Sequence, residues 1–202
     1  MKIAINTRLL LKNKLEGIGW FTLETLKIIV LNHPEHEFYF LFDRKFDPSF
    51  IFAKNVTPVI IGPPARHPIL FKIWFNQSVT RALKKIGADI FLSPDGFLSL
   101  KTSIPQIAVI HDLNFEHYPE DLPKSYMKYY KKYFPLFARK AARIITVSEF
   151  SKKDISSQYA ISLNKIEVAY NGVSDNFSPS DIPTIKSTQM KYSEGKPYLV
   201  YV

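Results

Sequence analysis

Short unbroken apolar runs alternate along the chain with longer stretches in which apolar residues recur every three or four positions. The runs read as buried strands and the periodic stretches as helices. Strands are predicted at residues 2–7, 38–42, 57–61, 89–92, 106–110, 143–147 and 166–169. Helices are predicted from Trp20 to near Asn32, and over 67–86, 123–142 and 151–159. Pro34 stops the first helix, and Gly87 is placed to end the second in a left-handed turn. Strands that alternate with helices and read as continuous apolar runs belong to a parallel sheet covered on both faces. The fold class is therefore α/β, doubly wound. One domain accounts for residues 1–175. Residues 176–196, with Ser178, Pro179, Ser180, Pro183 and Ser187, read as a linker. Residues 197–202 begin a new apolar strand, the expected start of a second, truncated domain.

In such a sheet, ligands bind beyond the carboxyl ends of the strands. The central run Gln106-Ile107-Ala108-Val109-Ile110 stops on His111 and Asp112, which makes that pair the first site candidates. Both residues also suit a plain loop start. Gly17-Ile18-Gly19 stands before the first helix, where backbone amides and the helix dipole can hold an anion. It is not the dinucleotide fingerprint, because the third glycine position is Thr22. Ser148 and Glu149 sit at a strand-to-helix turn. No nucleophile elbow surrounds them, and Ser148 or Ser151 also suits a helix N-cap.

Composition narrows the classes. The 202 residues are 46% hydrophobic and 14% aromatic, enough for a packed core. There is no cysteine, so neither disulfides nor thiolate chemistry enter. The first apolar run, Ile3-Ala4-Ile5, is broken by Asn6 and Arg8, too early for a secretory signal. No window approaches the roughly 20 apolar residues of a membrane span. The expected location is cytoplasmic, with a peripheral place on the inner face of the membrane. The net charge of +9 suits phosphorylated small molecules or anionic lipid. Nucleic acid is not expected, since no exposed-aromatic RNA-binding pattern is present. The helix over 123–142 carries Tyr126, Tyr130, Tyr133 and Phe137 on one face. Lys124, Lys128 and Lys132 lie nearly opposite, a candidate membrane-facing stripe or simply a solvated one. The histidines have no metal-ligand spacing of the His-Glu-x-x-His kind. His33 and His36 flank Pro34 and Glu35 in an expected surface loop, so no metal is expected.

Ile3-Ala4-Ile5-Asn6-Thr7-Arg8, Gly17-Ile18-Gly19, Val109-Ile110-His111-Asp112-Leu113, Thr146-Val147-Ser148-Glu149-Phe150-Ser151, Tyr170-Asn171-Gly172-Val173 and Phe177-Ser178-Pro179 follow one another in that order. This ordered set resembles the N-terminal half of a family 4 retaining glycosyltransferase of the GT-B fold. It is most similar to bacterial mannosyltransferases of polysaccharide assembly. The resemblance implies a Rossmann-like acceptor-side domain facing a nucleotide-sugar-binding domain across a cleft. It implies that His111 contacts the transferred sugar with Asp112 beside it, as the catalytic pair. It further implies that Arg8, Gly17, Ile18, Gly19, Ser148, Glu149, Asn171 and Gly172 line the substrate side. The partners implied are a nucleotide-sugar donor and a glycan or lipid-linked acceptor. No cofactor is implied, the donor being a substrate.

Two positions depart from the family. Asn6 stands where the family often has Asp, and Trp20 where a basic residue is more usual. The family's donor-phosphate Arg/Lys and its paired glutamates lie in the second domain, so the chain reads as a fragment that is inactive alone. The rival readings are a non-catalytic carbohydrate- or membrane-binding α/β module, and a metal-assisted hydrolase using His111, Asp112 and His117.

Overall fold

A computed structural model describes residues 1–173 and 178–200. Contacts divide the chain into two units, residues 1–170 and 171–202. The first holds seven strands: β1 (Lys2–Asn6), β2 (Glu37–Phe42), β3 (Val56–Ile60), β4 (Ile90–Ser93), β5 (Gln106–Val109), β6 (Arg143–Thr146) and β7 (Ile166–Val168). All pair in parallel, in the order β3-β2-β1-β4-β5-β6-β7. This is the Rossmann-like, doubly wound sheet that the alternation predicts. The order reverses between β1 and β4, which makes that pair the switch point.

The reversal decides which face each helix covers, because parallel crossovers keep one hand. Helix α1 (Gly17–Asn32) joins β1 to β2 and puts Leu23, Leu26 and Val30 with Ile5, Phe38 and Phe40 on one face. The return from β3 to β4 runs through α2 (Pro68–Ile73), a π-helical turn (Trp74–Val79) and α3 (Thr80–Ile86). These pack on the opposite face with α5 (Lys124–Lys140) and α6 (Glu149–Tyr159), around Phe75, Phe91, Phe97, Phe137, Ile144 and Ile155. The predicted single helix over 67–86 is thus one continuous helical stretch with a π turn inside it. The turn buries Trp74, Phe75 and Val79 completely, and Trp74 Nε1 donates to the Ile61 carbonyl at 2.7 Å. Burial on this scale makes truncation of a Trp cost about 3–5 kcal/mol. Gly87 ends α3 at φ 67°, as its position predicts.

Other boundaries shift in informative ways. Helix α1 begins at Gly17, so Gly17-Ile18-Gly19 forms its first turn and does not precede it. In α5 the deepest side chains are Tyr129, Phe134, Phe137 and Ala138, a stripe rotated from the predicted one, and Tyr126, Tyr130 and Tyr133 are only half-buried. Lys124, Lys128 and Lys132 are all exposed. A short helix, α4 (Asn114–His117), follows Asp112 where only a loop was expected.

The second unit contains α7 (Ile182–Ser193), a 12-residue helix within the stretch expected to be linker. Asp181 caps it by accepting from the Thr184 amide at 2.8 Å, and Glu194 and Gly195 end it at φ 53° and 82°. The cap, Pro183 near the first turn and the closing Gly195 are helix punctuation hidden among the Ser and Pro residues that suggested a linker. Pro197 to Val200 form no strand among the described residues. Phe177, Tyr201 and Val202, which the sequence reading used, lie outside the described residues.

Candidate active site

Three strand ends meet at the switch point. β1 leads into Asn6, Thr7 and Arg8. β4 leads into Ser93, Pro94 and Asp95. β5 leads through Ile110 into His111. Asp95 is the hub. Its Oδ1 accepts from Asn6 Nδ2 at 2.8 Å, from the Ser93 hydroxyl at 3.0 Å and from the Phe97 amide at 3.3 Å. Its Oδ2 accepts from Arg8 Nε at 2.7 Å. The Arg8 and Asp95 side chains are only 9% and 4% exposed. A buried ion pair is tolerated when its remaining hydrogen-bonding capacity is met, and here the carboxylate is met on both oxygens.

Arg8 continues the network. Nη1 reaches the Ala65 carbonyl at 3.4 Å, and the guanidinium carbon lies 5.0 Å from the ring centres of both Phe71 and Phe97. Aromatic faces stabilise a guanidinium where water is scarce. The same aromatic cluster includes Tyr129 and Tyr130, whose phenols burial pushes up from the ordinary tyrosine value. Asn6 has a clear chemical reason. Its amide donates to both Asp95 and Ser93. A carboxylate at position 6 would set two like charges face to face.

His111 is half-buried and held from two sides. Nε2 lies 2.9 Å from the Pro94 carbonyl. A carbonyl only accepts, so Nε2 carries the proton, and in the neutral ring Nδ1 is the acceptor. Phe21, in the second turn of α1, meets the ring edge-on at 4.8 Å between centres. Nδ1 has no hydrogen-bond partner among the described residues. Beside His111 runs an apolar cleft of about 130 Å³, lined by Phe21, Thr25, Leu92, Pro94, Val109 and Ile145 among others. The cleft lies on the α1 face of the sheet.

The remaining sequence candidates divide. Arg8 is drawn into the Asp95 network. Gly17 is exposed, Ile18 half-buried and Gly19 buried, all in the first turn of α1, where Glu16 provides no side-chain cap. Asp112, predicted as the catalytic partner, is exposed and accepts from the Asn114 amide at 2.9 Å. That contact is a turn-forming one. Ser148 Oγ accepts from the Ser151 amide at 3.0 Å and so caps α6, while Glu149 is exposed in its first turn. Asn171 and Gly172 are exposed and belong to the second unit. His117 Nε2 instead contacts Asp154 at 2.9 Å. Among the described residues, His111, Asp112 and His117 do not form a group within reach of a shared ion. Sequence reading missed Asp95. The strand-end rule that found His111 also applies to Ser93-Pro94-Asp95-Gly96, one strand nearer the switch point.

The glycosyltransferase family 4 model, described as Glycosyltransferase Family 4, matches residues 29–177. The chain belongs to Glycosyltransferase Family 4. Among solved structures, it is similar to HepE from Anabaena in complex with UDP and glucose: 15% identity, TM-score 0.58, covering 95% of this chain and 50% of that one. It is similar to UDP-GlcNAc 2-epimerase from Neisseria meningitidis bound to UDP-GlcNAc: 13% identity, TM-score 0.55, covering 96% and 51%. It also resembles MurG from Acinetobacter baumannii, with 11% identity, TM-score 0.50 and coverage of 96% and 54%. No curated protein sequence matches. This family 4 chain thus spans about half the length of the structures it matches. Identities this low establish the shared fold alone. Since the neighbours include an epimerase, the family match is what points to glycosyl transfer.

Proposed function

We propose that this family 4 domain is the acceptor-side half of a retaining GT-B glycosyltransferase, moving a hexose from a nucleotide-sugar to a glycan or lipid-linked acceptor. The observation that carries this reading is His111. It stands at the carboxyl end of β5 with Nε2 committed to the Pro94 carbonyl and Nδ1 unengaged. So oriented, Nδ1 accepts a hydrogen bond from a hydroxyl of the transferred sugar and fixes the ring for departure of the nucleoside diphosphate. Complexes of similarly folded proteins hold UDP with glucose, or UDP-GlcNAc, which supports a nucleotide-sugar as donor.

The other roles are graded by what the side chains already do. Gly17, Ile18 and Gly19 offer first-turn amides of α1 to an anionic donor group. Arg8 and Asp95 act from behind the site, holding the turn after β4 whose Pro94 carbonyl orients His111. Ser148 and Glu149 face the substrate only through the α6 turn that Ser148 caps. Asp112 shapes the turn after His111. The reading assigns no cofactor and no metal, because leaving-group charge is met by amides here and by basic groups of a facing domain. A mannosyl donor and cytoplasmic work at a membrane surface complete the proposal. The exposed Lys124, Lys128 and Lys132 supply the lipid-facing charge. Among the described residues, no helix is long and apolar enough to cross a membrane.

The test is His111→Ala in a two-domain protein carrying this domain. Transfer should fall by at least about 10²-fold with the urea midpoint unchanged. Wild-type turnover by the folded variant would overturn the assignment.

A further inference from the structure

The turn between α1 and β2 gathers three ligand atoms that the proposed reaction does not use. The chain there reads His33-Pro34-Glu35-His36. The His36 amide donates to the His33 carbonyl at 3.1 Å and closes the turn. Asn55 fixes its base, with Nδ2 placed 3.3, 3.2 and 3.2 Å from the carbonyls of Val30, His33 and His36. The side chains that project from this tied loop are two imidazoles and one carboxylate. Glu35 Oε1 lies 3.1 Å from His33 Nδ1 and 3.6 Å from His36 Nδ1. One ligand atom from each of the three residues falls within 4.8 Å of the others.

Two features argue that this is more than a solvated cluster. The first is His36 Nδ1, a buried nitrogen with no hydrogen-bond partner among the described residues. Leaving such a group unpaired costs about 1–3 kcal/mol, and a bound ion would satisfy it. The second is the spacing. Zinc binds imidazole nitrogen and carboxylate oxygen at about 2.0–2.2 Å, so neighbouring ligands of a tetrahedral ion stand about 3.3–3.5 Å apart. The two Glu35 edges bracket that value. The two imidazoles are stacked, 5.5 Å between centres and 12° between planes, so binding one ion requires at least one ring to turn until both in-plane lone pairs converge on it.

We propose that His33, Glu35 and His36 form a binding site for a borderline divalent cation of the Zn²⁺ type, with water completing the coordination. Two nitrogen donors out of three select against Mg²⁺ and Ca²⁺, which prefer oxygen. Glu37 lies outside the group within reach of the ion, and its Oε2 accepts from the Tyr39 hydroxyl at 2.7 Å. The site lies at the amino end of β2, where Glu37 pairs with Lys2 at the start of β1, whereas His111 lies beyond the carboxyl end of β5. Its effect is structural: an ion there ties the end of α1 to the start of β2. The inference is independent of the proposed transferase reading.

The experiment uses the tag-free 202-residue chain, stripped with chelator. Zn²⁺ is titrated by calorimetry and Co²⁺ by visible absorption. One equivalent of Zn²⁺ should bind, and Co²⁺ should give ligand-field bands that Zn²⁺ abolishes. Zn²⁺ should also raise the melting temperature. His33→Asn and Glu35→Gln, both at exposed positions, should each weaken Zn²⁺ binding at least tenfold with an unchanged far-ultraviolet spectrum. His33→Asn/His36→Asn should lose the cobalt bands. No stoichiometric binding by the wild type, or wild-type affinity in His33→Asn and Glu35→Gln, would overturn the proposal.

Discussion

His111 Nε2 sits 2.9 Å from the Pro94 carbonyl, and the residue after Pro94 is the buried carboxylate that pairs with Arg8. The orientation of the candidate sugar-contacting imidazole is therefore coupled to an ion pair one residue away. Asp95 fixes the turn after β4, and the turn fixes the ring. Removing one partner of a buried pair leaves an uncompensated charge, here Arg8 among Phe71, Phe75 and Phe97. Asp95→Ala should cost about 3–5 kcal/mol of folding stability in urea denaturation. A loss within 1 kcal/mol of zero would mean that water or a rearranged Arg8 takes over.

The two glycines at the start of α1 should behave differently. A Cβ on Gly17 meets nothing within 4 Å. A Cβ on Gly19 comes 3.0 Å from the Leu9 carbonyl and 3.1 Å from Leu15 Cδ2. Gly17→Ala should leave stability unchanged or raise it by up to about 1 kcal/mol, since Ala restricts the unfolded chain. Gly19→Ala should cost about 1–3 kcal/mol, because a backbone oxygen cannot simply turn aside. Thermal melts of both variants check this. Equal melting temperatures would show that the loop after β1 yields freely. The absence of a side chain at 19 is thus explained by packing, whereas at Gly17 packing does not require it.

A pH effect is expected where the loop after β1 meets the loop after β2. The Lys12 ammonium, 2.6 Å from Asp47, and then Ser49 hold the Asp47 carboxyl down to about 2 from its ordinary 3.8. A depressed carboxyl pKa contributes stability above the unfolded value, and that contribution fades as the pH falls from about 4 towards 2. Lys12→Gln should move the Asp47 titration back towards 3.8 and reduce the loss of stability over that window. Carboxyl carbon NMR reads the midpoint directly. A midpoint that stays near 2 in the variant would assign the effect to Ser49 instead.

Much of the architecture was legible because the strand pattern is strong. Seven apolar runs gave seven strands, and their alternation with helices gave the parallel sheet. What was less legible lies in side-chain contacts, near and distant in sequence, that periodicity does not encode. Ser148 and Asp112 look alike as strand-end polar residues, yet each meets a nearby amide in the fold. Asp95 follows the end of β4, a strand-end signal that it shares with His111, Asp112 and Ser148 and that does not rank it among them. Its importance comes from Asn6 and Arg8, some 87 to 89 positions away. The face that α5 buries was misread because six aromatic residues lie within 126–137, so several stripes fit the same period. Helix α7 was missed for the opposite reason: its residues are exposed, and no buried stripe marks them.

The 202-residue chain should fold alone and bind nucleoside diphosphate sugars weakly. Its first unit has a closed set of seven strands with apolar cores on both faces, so it needs no second domain to fold. Its amide site for an anion is another matter. The first turn of α1 offers N–H groups, but the N-cap Glu16 immediately before it adds a negative charge next to them. Lys12, a cation in the preceding loop, is already paired with Asp47. Amides without a basic partner give a partial site, and most donor contacts in the proposed enzyme belong to a facing domain. Calorimetry of the chain with UDP- and GDP-sugars should give dissociation constants no tighter than about 1 mM. A product assay on the same sample should show no transfer. Micromolar donor binding, or measurable transfer, would place the donor site within these residues and overturn the division of labour proposed for the two halves.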